Sequence, residues 1–206
     1  PQIEMQHVTK YFTNEQRRFT AIDDVSLTIE RGEFVFLIGS SGAGKTTLLR
    51  LLANQIVADE GKIWLDDVEL TRLRGWRRPV YRRNIGQVWQ DASLIRKKTV
   101  RQNLELVQRA LGVKSKVIPE NTRKALSIVG MRAMEDRYPF ELSGGQVKMV
   151  ELARAIICNP PILIVDEITA NLDYDTGWDI MNILNEINRC GTTVIMATHA
   201  KRSEEH

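Results

Sequence analysis

Hydrophobic and polar residues alternate over Ile3 to Val8 and again over Val25 to Ile29, so each segment reads as a half-buried strand. The pattern changes at Phe34-Val-Phe-Leu-Ile38, a continuous apolar run between Gly32 and Gly39. Such a run predicts a strand buried on both faces of a parallel sheet. Leu48, Leu49, Leu51 and Leu52 predict a helix from Gly44 to about Asn54, and Lys62 to Leu65 and Ile85 to Trp89 read as short strands. From Val100 to Val129 the spacing is helical, with Pro119 starting a second segment and Gly130 ending it. A helix follows Ser143 to about Cys158, and Ile162-Leu-Ile-Val165 is another buried strand. Tyr174 to Arg189 is an amphipathic helix closed by Gly191, and Thr192 to Met196 is the last strand. The order predicts a single α/β domain over residues 1–206, with a helical insertion at about 91–141.

Composition narrows the class. A 206-residue chain with 43% hydrophobic and 27% charged residues can bury a core and is no disordered tail. No run reaches the roughly 18 apolar residues that a membrane span needs. Pro1 to Lys10 has no charged leader before an apolar run, so no secretory signal is expected. Cys158 and Cys190 lack metal-type spacing and fit a reducing, cytoplasmic setting. The net charge of +3 is uneven: ten Lys or Arg and one acid, Asp91, lie between Arg72 and Arg101. Such a block suits an acidic partner, an anionic membrane surface or a solvated face. It lacks the interleaved aromatics of single-strand binders, so no nucleic acid partner is expected.

Three motifs carry chemistry. Gly39-Ser40-Ser41-Gly42-Ala43-Gly44-Lys45-Thr46, followed by Thr47, fits a phosphate-binding loop between a strand and a helix. Its backbone N–H groups and the helix N-terminus would face phosphate, Lys45 would reach the β- and γ-phosphates, and Thr46 would ligate magnesium. The strand ending in Asp166-Glu167 would set two acids beside that loop, since ligands gather at the carboxyl ends of parallel strands. Asp166 is then placed to hold Mg2+, and Glu167 to orient or deprotonate an attacking water. Leu142-Ser143-Gly144-Gly145-Gln146 opens a helix and makes a second anion site. A second anion loop makes sense if it serves a nucleotide bound by another copy.

With these residues the chain resembles, essentially end to end, the ATP-binding cassette (ABC) family of P-loop NTPases. The resemblance adds Gln90 as the glutamine loop, Asn171-Leu172-Asp173 as the D-loop, His199 as the switch histidine and Tyr11 as the aromatic that stacks on adenine. It implies a fold with an ABC core of mixed and parallel sheet, an antiparallel β subdomain and a helical subdomain. It also implies an ATPase that forms a head-to-tail homodimer around two ATP molecules. Catalytic roles would fall to Glu167, His199, Gln90 and Lys45. Mg2+ would be held by Thr46, Gln90 and Asp166. Ser143, Gly145 and Gln146 would meet nucleotide across the dimer, and Gly144 and Asp173 are also expected to bind nucleotide.

Within the family, Arg82–Asp91, Gly32–Gly39 and Ile187–His199 look like the bacterial cell-division ATPases, with lipoprotein-release and macrolide-export ATPases as the alternative. Either reading implies an integral membrane subunit that holds the protein peripherally at the inner face of the cell membrane. The surface receiving that subunit would begin near Asp91 and include Leu94, Ile95 and the Val100–Leu111 helix, flanked by Arg96, Lys97, Lys98 and Arg101. Ile168 and Ala170 replace the family's usual proline and glycine, which implies altered loop stiffness, and Lys148 and Met149 stand where relatives often carry Gln and Arg. The chain stops seven residues past His199, where relatives usually continue, so a trimmed C-terminus is expected. A metabolite kinase would leave Leu142–Gln146 and His199 without a use. The 95 residues between Thr46 and Leu142 carry no heptads for a DNA-repair coiled coil.

Overall fold

The computed structural model describes residues 1–73 and 75–199; Arg74 of the basic block lies outside the described residues. The strands are β1 (Ile3–Thr13), β2 (Arg18–Ile29), β3 (Phe34–Gly39), β4 (Glu60–Leu65), β5 (Val68–Glu69), β6 (Ile85–Val88), β7 (Ile162–Asp166) and β8 (Thr193–His199). The helices are α1 (Lys45–Leu52), α2 (Arg78–Arg82), α3 (Val100–Ala110), α4 (Ile118–Ile128), α5 (Gly144–Ile156) and α6 (Tyr174–Arg189). One sheet is antiparallel, in the order β2-β1-β4-β5; the other is parallel, in the order β3-β8-β7-β6. The expected ABC core, with its antiparallel and helical parts, is therefore present.

The parallel sheet has two apolar faces. Ile162 and Ile164 of β7 join α1 and the antiparallel sheet in one core cluster, while Leu163 and Val165 join α3, α4, α5 and α6 in another. All four are fully buried, each contributing about 1.5–3 kcal/mol by leaving water. The prediction for β3 needs correcting. It is an edge strand, and Phe36 and Ile38 are 46% and 66% exposed while Val35 and Leu37 face the core. An apolar run reveals a strand but not its place in the order of strands.

Helix ends follow local chemistry. Thr99 caps α3, its hydroxyl accepting from Gln102 N–H while the Gln102 side chain accepts from Thr99 N–H. Pro119 occupies the first turn of α4, where its missing N–H costs nothing. Ser143 and Gln146 make the same reciprocal cap on α5.

Candidate functional site

Parallel pairing fixes which residues share the carboxyl edge of the sheet. Gly39 at the end of β3 pairs with His199 at the end of β8, and Asp166 of β7 pairs with Ala197 of β8. Glu167 follows, held by its N–H donating to Ala197 O at 3.0 Å. Its φ of 51° lies in the left-handed region, a strain on the order of 1–3 kcal/mol that aims its side chain at the loop before α1. Gly44 in that loop has φ 91°, and a Cβ there would sit 2.6 Å from Ala21 O, so glycine is required twice over.

The charged groups converge tightly. Lys45 Nζ donates to Gly39 O at 2.6 Å and Ser40 O at 2.9 Å, and lies 3.5 Å from Glu167 Oε1. His199 Nε2 lies 2.9 Å from Glu167 Oε2, so each oxygen of that carboxylate faces a nitrogen. Thr46 Oγ1 donates to Asp166 Oδ2 at 2.9 Å, while Asp166 Oδ1 is buried with no partner among the described residues. Burial pushes the Asp166 carboxyl above its usual range; the Thr46 hydrogen bond opposes this and the Glu167 charge adds to it. An orphaned carboxylate oxygen beside a hydroxyl is hard-oxygen chemistry of the kind that suits a divalent cation such as Mg2+.

A cleft of about 500 Å³ opens over Lys45, Thr46 and Glu167, lined also by Ser41, Gly42, Gly44, Thr47 and Gln90, with Asp166 and His199 behind that lining through their contacts to Thr46 and Glu167. Its aromatic wall is Phe12 and Phe19, cross-strand partners whose ring centroids are 5.7 Å apart. Tyr11, the residue expected to stack on adenine, is not on that wall, whereas its neighbour Phe12 is. The Tyr11 hydroxyl donates to Glu60 Oε1 at 2.9 Å, which raises its pKa, and the Arg18 guanidinium stacks on its ring at 3.5 Å. Irregular pairing between Met5 and Tyr11, with His7 at φ 49°, resets the alternation that begins at Ile3.

The Ser143–Gln146 segment is absent from the lining of this cleft. Its Ser143 side chain is exposed and engaged in the α5 cap. Gly145 has a packing reason to be glycine, because a Cβ would stand 2.5 Å from Thr176 Cγ2. Asp173 is likewise outside the cleft lining: it caps α6, accepting from Thr176 N at 3.1 Å and Thr176 Oγ1 at 2.6 Å. These two hydrogen bonds lower its pKa. Ile168, the replacement for proline, is only 1% exposed and anchors the segment after Glu167 in the core.

A second concavity, of about 270 Å³, lies away from the phosphate loop, with Arg82, Arg83 and Arg154 around Ile85, Val107 and Leu111. Of the expected docking residues, Leu94 is buried and Ile95 is exposed. Arg101 pairs with Asp136 at 2.8 Å and Arg72 with Glu69 at 2.8 Å, whereas no ion pair among the described residues involves Arg83, Arg96, Lys97 or Lys98.

Comparison with known proteins agrees with this geometry. Residues 22–170 match the family model described as ABC transporter. The chain is 40% identical over 197 residues to the cell division ATP-binding protein FtsE of Streptococcus pneumoniae (serotype 2 strain D39), covering 96% of this chain and 84% of that protein. It is 38% identical to the methionine import ATP-binding protein MetN 4 of Oceanobacillus iheyensis, covering 96% of this chain and 57% of the relative. Among solved structures, the dimeric post-hydrolysis state of the ATP-binding cassette MJ0796 bound to ADP and Pi superposes with a TM-score of 0.89. The two are 31% identical, and the match covers 95% of this chain and 87% of that one.

Proposed function

Because the chain belongs to the ABC transporter family, as an ATP-binding ATPase subunit, we propose that it is the motor of an FtsEX-type complex of bacterial cell division. In this reading two copies close head to tail on two ATP molecules. The cycle is read through an FtsX-like membrane subunit by peptidoglycan hydrolases. The observation that carries the reading is the 40% identity to FtsE over nearly the whole chain.

The residues divide the work as follows. Backbone N–H groups of 39–47 and Lys45 bind the phosphates, and Phe12 and Phe19 hold the base. Thr46, Asp166 and Gln90 would hold Mg2+, whose chemistry is to neutralise phosphate charge. Glu167 positions and polarises the attacking water, and His199 orients Glu167. Placement and charge neutralisation suffice, since phosphoryl transfer asks for little covalent chemistry. Ser143, Gly144 and Gln146 stand outside their own cleft, which supports their use on the nucleotide of a second copy. Gly145 lets that loop lie against α6, and Asp173 supports the contact by fixing Thr176.

The Arg82–Arg83–Arg154 concavity, lined by both apolar and basic residues, supports docking of an amphipathic cytoplasmic helix with acidic residues. No helix among the described residues is long and apolar enough to cross a membrane; in the proposed reading the partner supplies the anchor. Identity to MetN 4 favours a second reading, the ATPase of a solute transporter. Purification from native membranes with a tag on this chain separates the two. Retention of an FtsX-like subunit supports the division role; retention of a solute permease overturns it.

A further inference from the structure

Lys148 and Glu151 lie on α5, one turn apart; Glu151 is buried and Lys148 nearly so, with side chains 1% and 11% exposed. Lys148 Nζ lies 3.1 Å from Glu151 Oε2 and donates to Trp89 O at 2.7 Å. The other Glu151 oxygen accepts from Ser93 N–H at 3.0 Å. Arg154, a further turn along, donates to Ser93 O at 3.1 Å and to the Ser93 hydroxyl. The segment 89–93 is thus gripped on both sides of Gln90 by three charged side chains of one helix. Gln90 itself lines the phosphate cleft, and the same helix begins at the Ser143–Gln146 anion loop.

A buried ion pair is a poor choice for stability alone, because desolvation offsets most of its attraction. Its value here is directional. Trp89 O and Ser93 N–H are fixed relative to α5, so a shift of the backbone around Gln90 is passed to that helix. We propose that Lys148 and Glu151 are positioning residues that tie Gln90 to the signature helix. Arrival of the γ-phosphate at one cleft then sets the Ser143–Gln146 loop of the same subunit for the partner's nucleotide. The inference rests on the ATPase reading above and adds to it a path between two loops of one chain. Met149, by contrast, is simply buried in the core, so the path runs through Lys148 and not its neighbour.

The test compares three full-length variants with the unaltered protein. Lys148→Met leaves Glu151 buried without the Lys148 charge; Lys148→Met with Glu151→Leu removes both charges; Lys148→Gln with Glu151→Gln keeps hydrogen-bonding groups without charge. Hydrogen exchange of amides 90–93 and 143–146 is followed with and without ATP and Mg2+, alongside steady-state ATPase kinetics. In the unaltered protein ATP slows exchange in both segments. In the Met/Leu variant protection is confined to 90–93, kcat falls about tenfold and KM changes little, and the Gln/Gln variant recovers most of the loss. Protection of both segments in a folded Met/Leu variant would overturn the proposal. So would equal loss of thermal stability and of both kinetic constants in all three variants. Should the unaltered protein itself fail to hydrolyse ATP, the ATPase reading fails first, and the exchange data report on the coupling independently.

Discussion

His199 Nε2 sits 2.9 Å from Glu167 Oε2, across the junction where β7 and β8 end side by side. The contact joins residues 32 apart in sequence, and Lys45 closes on the other carboxylate oxygen. Glu167 is therefore held by two nitrogens and by a left-handed backbone that few glutamates adopt. A carboxylate fixed so firmly beside the phosphate loop fits the proposed role of directing one water molecule.

The aromatic wall distinguishes neighbouring residues. Phe12→Ala is expected to weaken ATP binding by about 1–3 kcal/mol, the scale of one lost base–aromatic stack. Tyr11→Ala should leave affinity nearly unchanged, because its ring lies against Arg18 and its hydroxyl serves Glu60. Calorimetry with ATP decides it; a loss on Tyr11→Ala as large as that on Phe12→Ala would return Tyr11 to the base.

Gly145→Ala should destabilise the fold by about 1–3 kcal/mol, because the added methyl meets Thr176 Cγ2. Thr176→Ser in the same chain removes that methyl while keeping the hydroxyl for Asp173. Denaturant unfolding should show most of the loss recovered in the double variant. Equal stability of both variants would mean that packing does not explain the glycine.

Ser143→Arg should abolish ATP-driven dimerisation while leaving the affinity of the monomer for ATP nearly intact. Ser143 is exposed and absent from the lining of its own cleft, so a bulky cation there obstructs only a second copy. Sedimentation measures the dimer and calorimetry the monomer. A parallel fall in both would contradict the trans role.

The basic run Arg96–Lys98 makes a salt-dependent prediction. Reversing Arg96, Lys97 and Lys98 to Glu should weaken recruitment to partner-containing liposomes of anionic lipid, by about 1 kcal/mol for each base near the surface. The difference should shrink as salt is raised, since exposed charges are screened. Unchanged recruitment at low ionic strength, with ATPase activity intact, would make these three residues a solvated face.

Much of this was legible in the chain because its signals are local. The apolar run of β7 ends in Asp166, the glycines before Lys45 lie between strand and helix, and Ser143 caps α5 within four residues. What escaped depends on distant neighbours or on a broken period. The edge position of β3 is set by the order of the other strands, and the irregular pairing in β1 puts Phe12 rather than Tyr11 on the cleft wall. Lys148 stood out in the sequence only as a departure from its relatives. Its meaning comes from Trp89, 59 residues away.

The most direct measurement is ATP turnover and dimer formation by Glu167→Gln. The amide keeps the shape beside Lys45 and His199 but loses the negative charge that polarises water. Hydrolysis should fall to near background while ATP affinity persists, and ATP should now trap a dimer visible by size-exclusion chromatography. Undiminished hydrolysis by a folded Glu167→Gln protein would contradict the assignment of Glu167 and, with it, the catalytic reading of the site.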